Sequence, residues 1–180
     1  MTFALEYRTI IFLRHGETDW NAKHLCVGQI DVPLNETGRL QADASTKSKL
    51  LDGVTGIMCS PLLRARETAE IVVEKIGLPV TFNDDLKECN LGVLEGQVET
   101  GLSMFDQWVA GDTPSGAEPW VEFCDRVDRG IDVALATYQR PLIISHAGVL
   151  WALSVARGLS FTDEPPNGVM IQIELPTQAC

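Results

Sequence analysis

Three short apolar runs, each leading into a polar residue and then a helical pattern, constrain the fold of this sequence most. They are TIIFLR (Thr9–Arg14), TGIMC (Thr55–Cys59) and LIIS (Leu142–Ser145). Runs of this length, with β-branched residues and turn signals at their ends, read as buried strands. Helical stretches separate them. Asn35 is placed to cap a helix running to about Leu51. Ser60-Pro61 reads as a helix start, with Ser as N-cap and Pro at the first helical position. The helix LLRARETAEIVVEKIG would set its apolar stripe at Leu63, Ala65 or Ala69, Ile71, Val72 and Ile76, and stop near Gly77. Further helices are predicted from Pro119 to Tyr138 and from Val149 to Leu159, with Ser115 and Glu118 at capping-box spacing before the first. Val80–Phe82 is a short strand, and the alternating run Val169–Leu175 suits a sheet edge. Strand and helix signals that alternate in this way predict an α/β fold with a parallel sheet. Residues 1–180 then form one domain, with an irregular, glycine-rich insertion at about 83–118 that covers a pocket.

Composition narrows the partners. The net charge of -11 argues against nucleic acid and anionic membranes, which need a basic footprint. It also disfavours long-range steering of an anion, so an anion site would have to rely on cations clustered within the screening length. Five scattered cysteines without C-x-x-C predict reduced thiols and a cytoplasmic protein, with Cys59 and Cys124 in the core and Cys180 a loose terminal thiol. The first apolar run is short and interrupted by Arg14, unlike a leader, and no stretch approaches membrane-span length.

The rare polar residues fall in a pattern. Arg14 and His15 close the first strand, Arg64 lies in the first turn of the helix after the second, and His146 closes PLIIS before Ala147-Gly148 and another helix. In a parallel sheet all of these lie at the carboxyl edge, where ligands bind in open α/β folds. Helix N-termini collect there too, with free N–H groups suited to an anion. One histidine at a strand end is usually structural, and one arginine on a helix is usually a solvated charge. Two of each converging on one edge of an acidic protein point to a phosphoryl group, which arginine binds bidentately. His24 has no such context and is assigned to the surface or a pocket rim. Metal binding is disfavoured, because no ligand spacing of the H-x-E-x-x-H kind occurs and the arginines would repel a cation.

The chain resembles the histidine phosphatase superfamily, the phosphoglycerate mutase-like family. LRHGETDWN (Leu13–Asn21) is similar to its R-H-G signature. GQIDVPLNETGRLQA, SPLLRARETA, LKECNLGVLEG and ISHAG match four further segments in the expected order. The resemblance implies a three-layer, open, mostly parallel sheet with helices on both faces and room for an antiparallel edge strand. It implies His15 as nucleophile, attacking phosphorus to give a phosphohistidine. The other ring nitrogen must then be tied to an acceptor, and Gly16 lets the backbone come close enough to serve. Arg14, Arg64 and His146 would clamp the phosphoryl oxygens, with Asn21 and Ala147 also in the phosphate site. The same cations would keep His15 neutral. Glu88 is the general-acid candidate, and it needs a raised pKa. Glu17, Asp84, Asp85 and Glu95 compete for that role, though Glu95 and Gly92 more naturally shape the loop.

The expected activity is metal- and cofactor-independent hydrolysis of a small phosphate ester. Mutase-type phosphoryl transfer is the alternative. The stretch Gly96–Ile144 is short for the mutase branch, and KECNLGVLEG lacks the aromatic residue and glycine that closely follow the mutase acid. A non-catalytic phosphate-binding module is a third reading, though none of the expected catalytic residues is missing. Specificity is assigned to loop 97–120. Among the tryptophans, Trp108 and Trp120 are placed at the pocket, Trp20 under the nucleophile loop and Trp151 on a core helix.

Overall fold

The computed structural model describes residues 7–98, 108–161 and 164–176. Residues 99–107, much of the loop assigned to specificity, and Cys180 lie outside the described residues. Five strands form one sheet: β1 (Tyr7–Arg14), β2 (Gly56–Cys59), β3 (Val80–Phe82), β4 (Pro141–Ser145) and β5 (Met170–Pro176). Their order is β3-β2-β4-β1-β5. The first four are parallel, and β5 pairs antiparallel with β1 at the edge, as its alternating pattern suggested. Among the described residues the helices include α1 (Asp19–Ala22), α2 (Glu36–Ser45), α3 (Leu63–Ile76), α4 (Trp120–Thr137) and α5 (Ala147–Arg157).

Residues Ile10–Leu13 of β1 are apolar because both faces of the sheet are covered. Ile10 and Phe12 join Ile143 against α4 and α5, while Ile11 and Leu13 join Ile57 and Leu142 against α3. Each such fully buried side chain contributes roughly 1.5–3 kcal/mol. The result is the expected three-layer arrangement, with α2 packed outside α3.

Several local expectations are corrected. The helix capped by Asn35 ends at Ser45, and a separate 3-10 turn covers Lys49–Leu51. Ser45 and Thr46 hydroxyls donate to the carbonyls of Ala42 and Asp43, competing with continued helical bonding. Ser60 does not cap α3, which begins after Leu62. The N–H of Leu63 is instead taken by Asp31 Oδ1 at 2.5 Å, from a distant loop. The inward face of α3 is Arg64, Ala65, Thr68, Ala69 and Val72, whereas Leu63, Ile71 and Ile76 are only partly covered. The Ser115/Glu118 capping box does not form: Pro119 is the N-cap of α4, and Glu118 pairs with Arg126. Trp108 is buried in the core, Trp120 lines the cavity described below, and so does the half-buried Trp151.

Backbone meets backbone where the loop after β1 crosses the start of α2. A Cβ on Gly16 would lie 2.2 Å from the Gly38 carbonyl oxygen, and one on Gly38 would lie 2.1 Å from that of Glu17. Gly38→Ala is therefore expected to cost about 1–3 kcal/mol through overpacking. The measurement is the urea midpoint, shifted down at an unchanged m-value. Among the described residues no helix is long and apolar enough to cross a membrane.

Candidate active site

The carboxyl ends of β1, β2 and β4 lie side by side, so the residues that follow them meet. The backbone continues the ladder for one step: His15 N–H donates to Ser145 O and Ser60 N–H to Ile144 O, both at 3.0 Å. The loop is also held from above, where Gly168 N–H donates to Arg14 O and Asn167 Nδ2 to His15 O.

His15 is buried, with Nδ1 2.7 Å from the carbonyl oxygen of Gly16. A carbonyl only accepts, so Nδ1 carries the proton and Nε2 keeps its lone pair. Arg64 Nε–H donates to that Nε2 at 3.2 Å. Burial, with Arg64 and Arg14 adding to it, holds the imidazole well below its ordinary pKa. Loss of solvent is a larger cause of this shift than the cations that the sequence places nearby. Arg64 is 1% exposed and is steadied by Gly28 O and Ile30 O at 2.8 and 3.1 Å. Each terminal nitrogen retains a second hydrogen for an incoming anion.

His146 is fully buried, its ring 5.1 Å from that of His15, centroid to centroid, and tilted 59°. Its Nε2 shares a 2.7 Å hydrogen bond with Ser60 Oγ, and Nδ1 has no partner among the described residues. Burial and the arginines depress its pKa as well. The ring stands behind His15, and the cavity wall is formed by others.

That cavity has a volume of about 420 Å³, and its polar wall comprises Arg14, His15, Asn21, Arg64, Glu88 and Glu164. Ala147 also lines it and opens α5 with one of the unpaired first-turn N–H groups. Asn21 Oδ1 is committed to Thr18 N–H and Oγ1, which leaves only its amide N–H groups to donate outward. Arg14 pairs with the Glu164 carboxylate and donates to Pro165 O at 3.0 Å.

Glu88 accepts from Cys89 N–H at 2.8 Å and Gly148 N–H at 3.2 Å. Burial nevertheless pushes its pKa up, against those bonds and the arginines. The competing acids are engaged elsewhere: Glu17 accepts from Asn35, Asp84 pairs with Lys87, Asp85 with Arg129, and Glu95 accepts from Gln29 N–H. Cys89 lies in the same wall, but burial raises its thiol far above the range in which a thiolate nucleophile forms at neutral pH. His24 is exposed, away from the cavity wall.

Supporting residues escaped the sequence reading. Arg126, midway along α4 in an ordinary charged pattern, clamps the loop carrying Glu88. It donates to the carbonyls of Asp85, Lys87 and Glu88 and pairs with Glu118. Ser60 looked like a helix cap but bonds His146. Glu164 lay in a stretch with no motif. No local signal marks any of these partners.

Gly148 leaves room for the acid, since a Cβ there would lie 2.2 Å from Glu88 Oε1. If Glu88 is the general acid the resemblance implies, Gly148→Ala should displace its carboxyl and lower kcat about 10²-fold with little change in Tm, because roughly 1 Å of misplacement is enough. Steady-state kinetics alongside thermal melting check this. Acid should also unfold the protein through its histidines. Their depressed pKa values give stability that is complete above about pH 6.5 and lost as pH falls towards the folded-state values. Glu88, with a raised pKa, acts in the opposite sense, but it is one group against two. Urea midpoints are expected to fall between about pH 7.5 and 5.

Known proteins share this fold. The model of the histidine phosphatase superfamily (branch 1) matches residues 10–163. An Escherichia coli (strain K12 / DH10B) protein named "Probable phosphoglycerate mutase GpmB" is 36% identical over 156 residues, covering 80% of this chain and 72% of its own length. The mycobacterial glucosyl-3-phosphoglycerate phosphatase, solved as a VO3 complex, superposes with a TM-score of 0.80 at 28% identity, over 92% of both chains. Phosphoglycerate mutase from Thermus thermophilus superposes with a TM-score of 0.75 at 28% identity, over 94% of this chain and 99% of its own. With the family model spanning most of the chain, five strands in the predicted layers and two histidines at neighbouring strand ends, this protein belongs to the histidine phosphatase superfamily, whose members are phosphatases and mutases.

Proposed function

We propose that this protein hydrolyses small phosphomonoesters through a phosphohistidine on His15, without a metal or cofactor. One observation carries the reading: the Nδ1 proton of His15 is held on Gly16 O, so the Nε2 lone pair belongs to a buried, neutral imidazole in the cavity wall. Nε2 attacks phosphorus, the P–N bond forms and the P–O bond to the alcohol breaks. The Glu88 carboxyl gives its proton to the departing oxygen, then takes one from a water whose oxygen attacks the phosphohistidine. The P–N bond breaks, inorganic phosphate leaves and Glu88 is protonated again.

Arg14, Arg64 and the Asn21 amide donate to the phosphoryl oxygens, with the Ala147 N–H, and stabilise the spread charge of the transition state. His146, its Nε2 fixed by Ser60, packs against the His15 ring behind the wall, and its Nδ1, without a partner among the described residues, is the nitrogen left for a phosphoryl oxygen. Arg64 Nε, bonded to Nε2 in the free protein, must yield to phosphorus during attack. Mutase-type transfer is the second reading, favoured by the likeness to proteins named as phosphoglycerate mutases. The short Gly96–Ile144 region and the departure at KECNLGVLEG support hydrolysis.

The test is phosphate release from p-nitrophenyl phosphate in EDTA, with 3-phosphoglycerate assayed in parallel. Free phosphate without metal supports the proposal. Phosphoryl migration on phosphoglycerate with little release supports the mutase, and binding of phosphate without turnover supports a non-catalytic module.

A further inference from the structure

We infer that the preferred substrates are monophosphate esters of an apolar or aromatic alcohol that carries no second anionic group. This rests on the phosphatase reading above and adds what the rest of the cavity selects. Beyond the polar wall, the lining is hydrocarbon and aromatic: Leu25, Leu91, Val109, Trp120, Phe123 and Trp151. Such a wall favours apolar surface and flat rings, and penalises a charge left without a partner.

The cations needed for a second anion are absent from the wall. Every lysine and arginine of the chain lies among the described residues, and only Arg14 and Arg64 line the cavity. Residues 99–107 contain no lysine, arginine or histidine. Arg126 comes near through the ring of Phe123, its guanidinium carbon 4.6 Å from the centroid, but its donors are already taken by Glu118 and three carbonyls.

Charge matching points the same way. A dianionic phosphoryl group balances the two arginines and leaves the Glu164 carboxylate at the wall uncompensated. A carboxylate or second phosphate on the alcohol would then meet like charge in a low-dielectric site. A phenyl or alkyl group would meet only apolar neighbours.

The experiment compares kcat/KM for 2-phenylethyl phosphate, glycerol 3-phosphate and 3-phosphoglycerate, three esters of unactivated alcohols, with the wild type, Trp151→Ala and Leu91→Arg. The phenylethyl ester is expected to exceed phosphoglycerate by about 10²-fold or more, the discrimination an apolar pocket gives. Trp151→Ala should lower kcat/KM about tenfold more for the phenylethyl ester than for glycerol 3-phosphate. Leu91→Arg should raise phosphoglycerate relative to the phenylethyl ester. If the wild type turns over phosphoglycerate as well as or better than the phenylethyl ester, the inference is overturned while the phosphatase reading stands. If none of the esters is hydrolysed, the phosphatase reading fails and the inference falls with it.

Discussion

His15→Ala is expected to lose on the order of 10⁴-fold or more in kcat, because in the proposed mechanism it removes the covalent nucleophile and with it the two-step route. The geometry gives the reason. The ring is buried, its tautomer is set by Gly16 O, and Nε2 lies on Arg64 Nε–H. Among the described wall residues His15 is the one histidine, and burial keeps the Cys89 thiol protonated at neutral pH. The readout has two parts. Acid-labile, base-stable label should accumulate on the wild type after a quench with ³²P-labelled ester, and it should be absent from the variant. Far-ultraviolet circular dichroism should show the variant folded, since its neighbours in the loop are held mainly by backbone bonds such as His15 N–H to Ser145 O. Comparable turnover by a folded His15→Ala would remove His15 from the role of nucleophile.

Glu88→Gln is the second large effect, and its size should depend on the leaving group. Gln keeps the size and one acceptor oxygen but has no proton to transfer. General-acid catalysis typically contributes about 10²–10⁴-fold, so alkyl phosphates should lose that much. p-Nitrophenolate leaves without protonation, so its ester should lose much less in the first step. The pH profile gives a separate test. Burial raises the Glu88 pKa, so the protonated acid persists towards neutrality and the rate on alkyl esters falls as pH rises through that value. In Glu88→Gln this alkaline limb should disappear. An equal loss in kcat/KM, which reports the first step alone, on both classes of ester would mean that Glu88 positions the phosphate and does not protonate the alcohol.

Other parts of the site act through Glu88. Its loop has no regular strand or long helix, and the Arg126 guanidinium ties three of its carbonyls to α4. The Gly148 N–H at the start of α5 fixes one carboxyl oxygen, and Cys89 N–H fixes the other. A carboxyl in a loop is thereby held to rigid elements on two sides, as a catalytic acid requires.

Much of this was legible from the chain. Ile10–Leu13, Gly56–Cys59 and Leu142–Ser145 announced strands covered on both faces, and the alternation after Gly168 announced the edge. Arg14, His15 and His146 stood out because polar residues at the ends of apolar strands fall at one edge of a parallel sheet, and Arg64 because it opens the helix that follows the second strand. The misreadings came where a local rule met a distant competitor. Ser60-Pro61 has the composition of a helix start, yet Asp31 caps α3 and the Ser60 hydroxyl serves His146. Ser115 and Glu118 have capping-box spacing, yet Arg126 draws Glu118 away. Trp151 belongs to a helix with a buried face, yet its own position on that helix turns it to the cavity.

The sequence by itself determined the order of strands and helices and the placement of the charged residues at strand ends, because period, turn chemistry and burial preference act over a few neighbouring residues. Only the tertiary structure decided which groups touch: Ser60 with His146, Gly148 with Glu88, Glu164 with Arg14, and an apolar wall beyond the phosphate end. Those three contacts join residues 86, 60 and 150 positions apart, and a bond between distant residues leaves no periodic mark on either partner's neighbours.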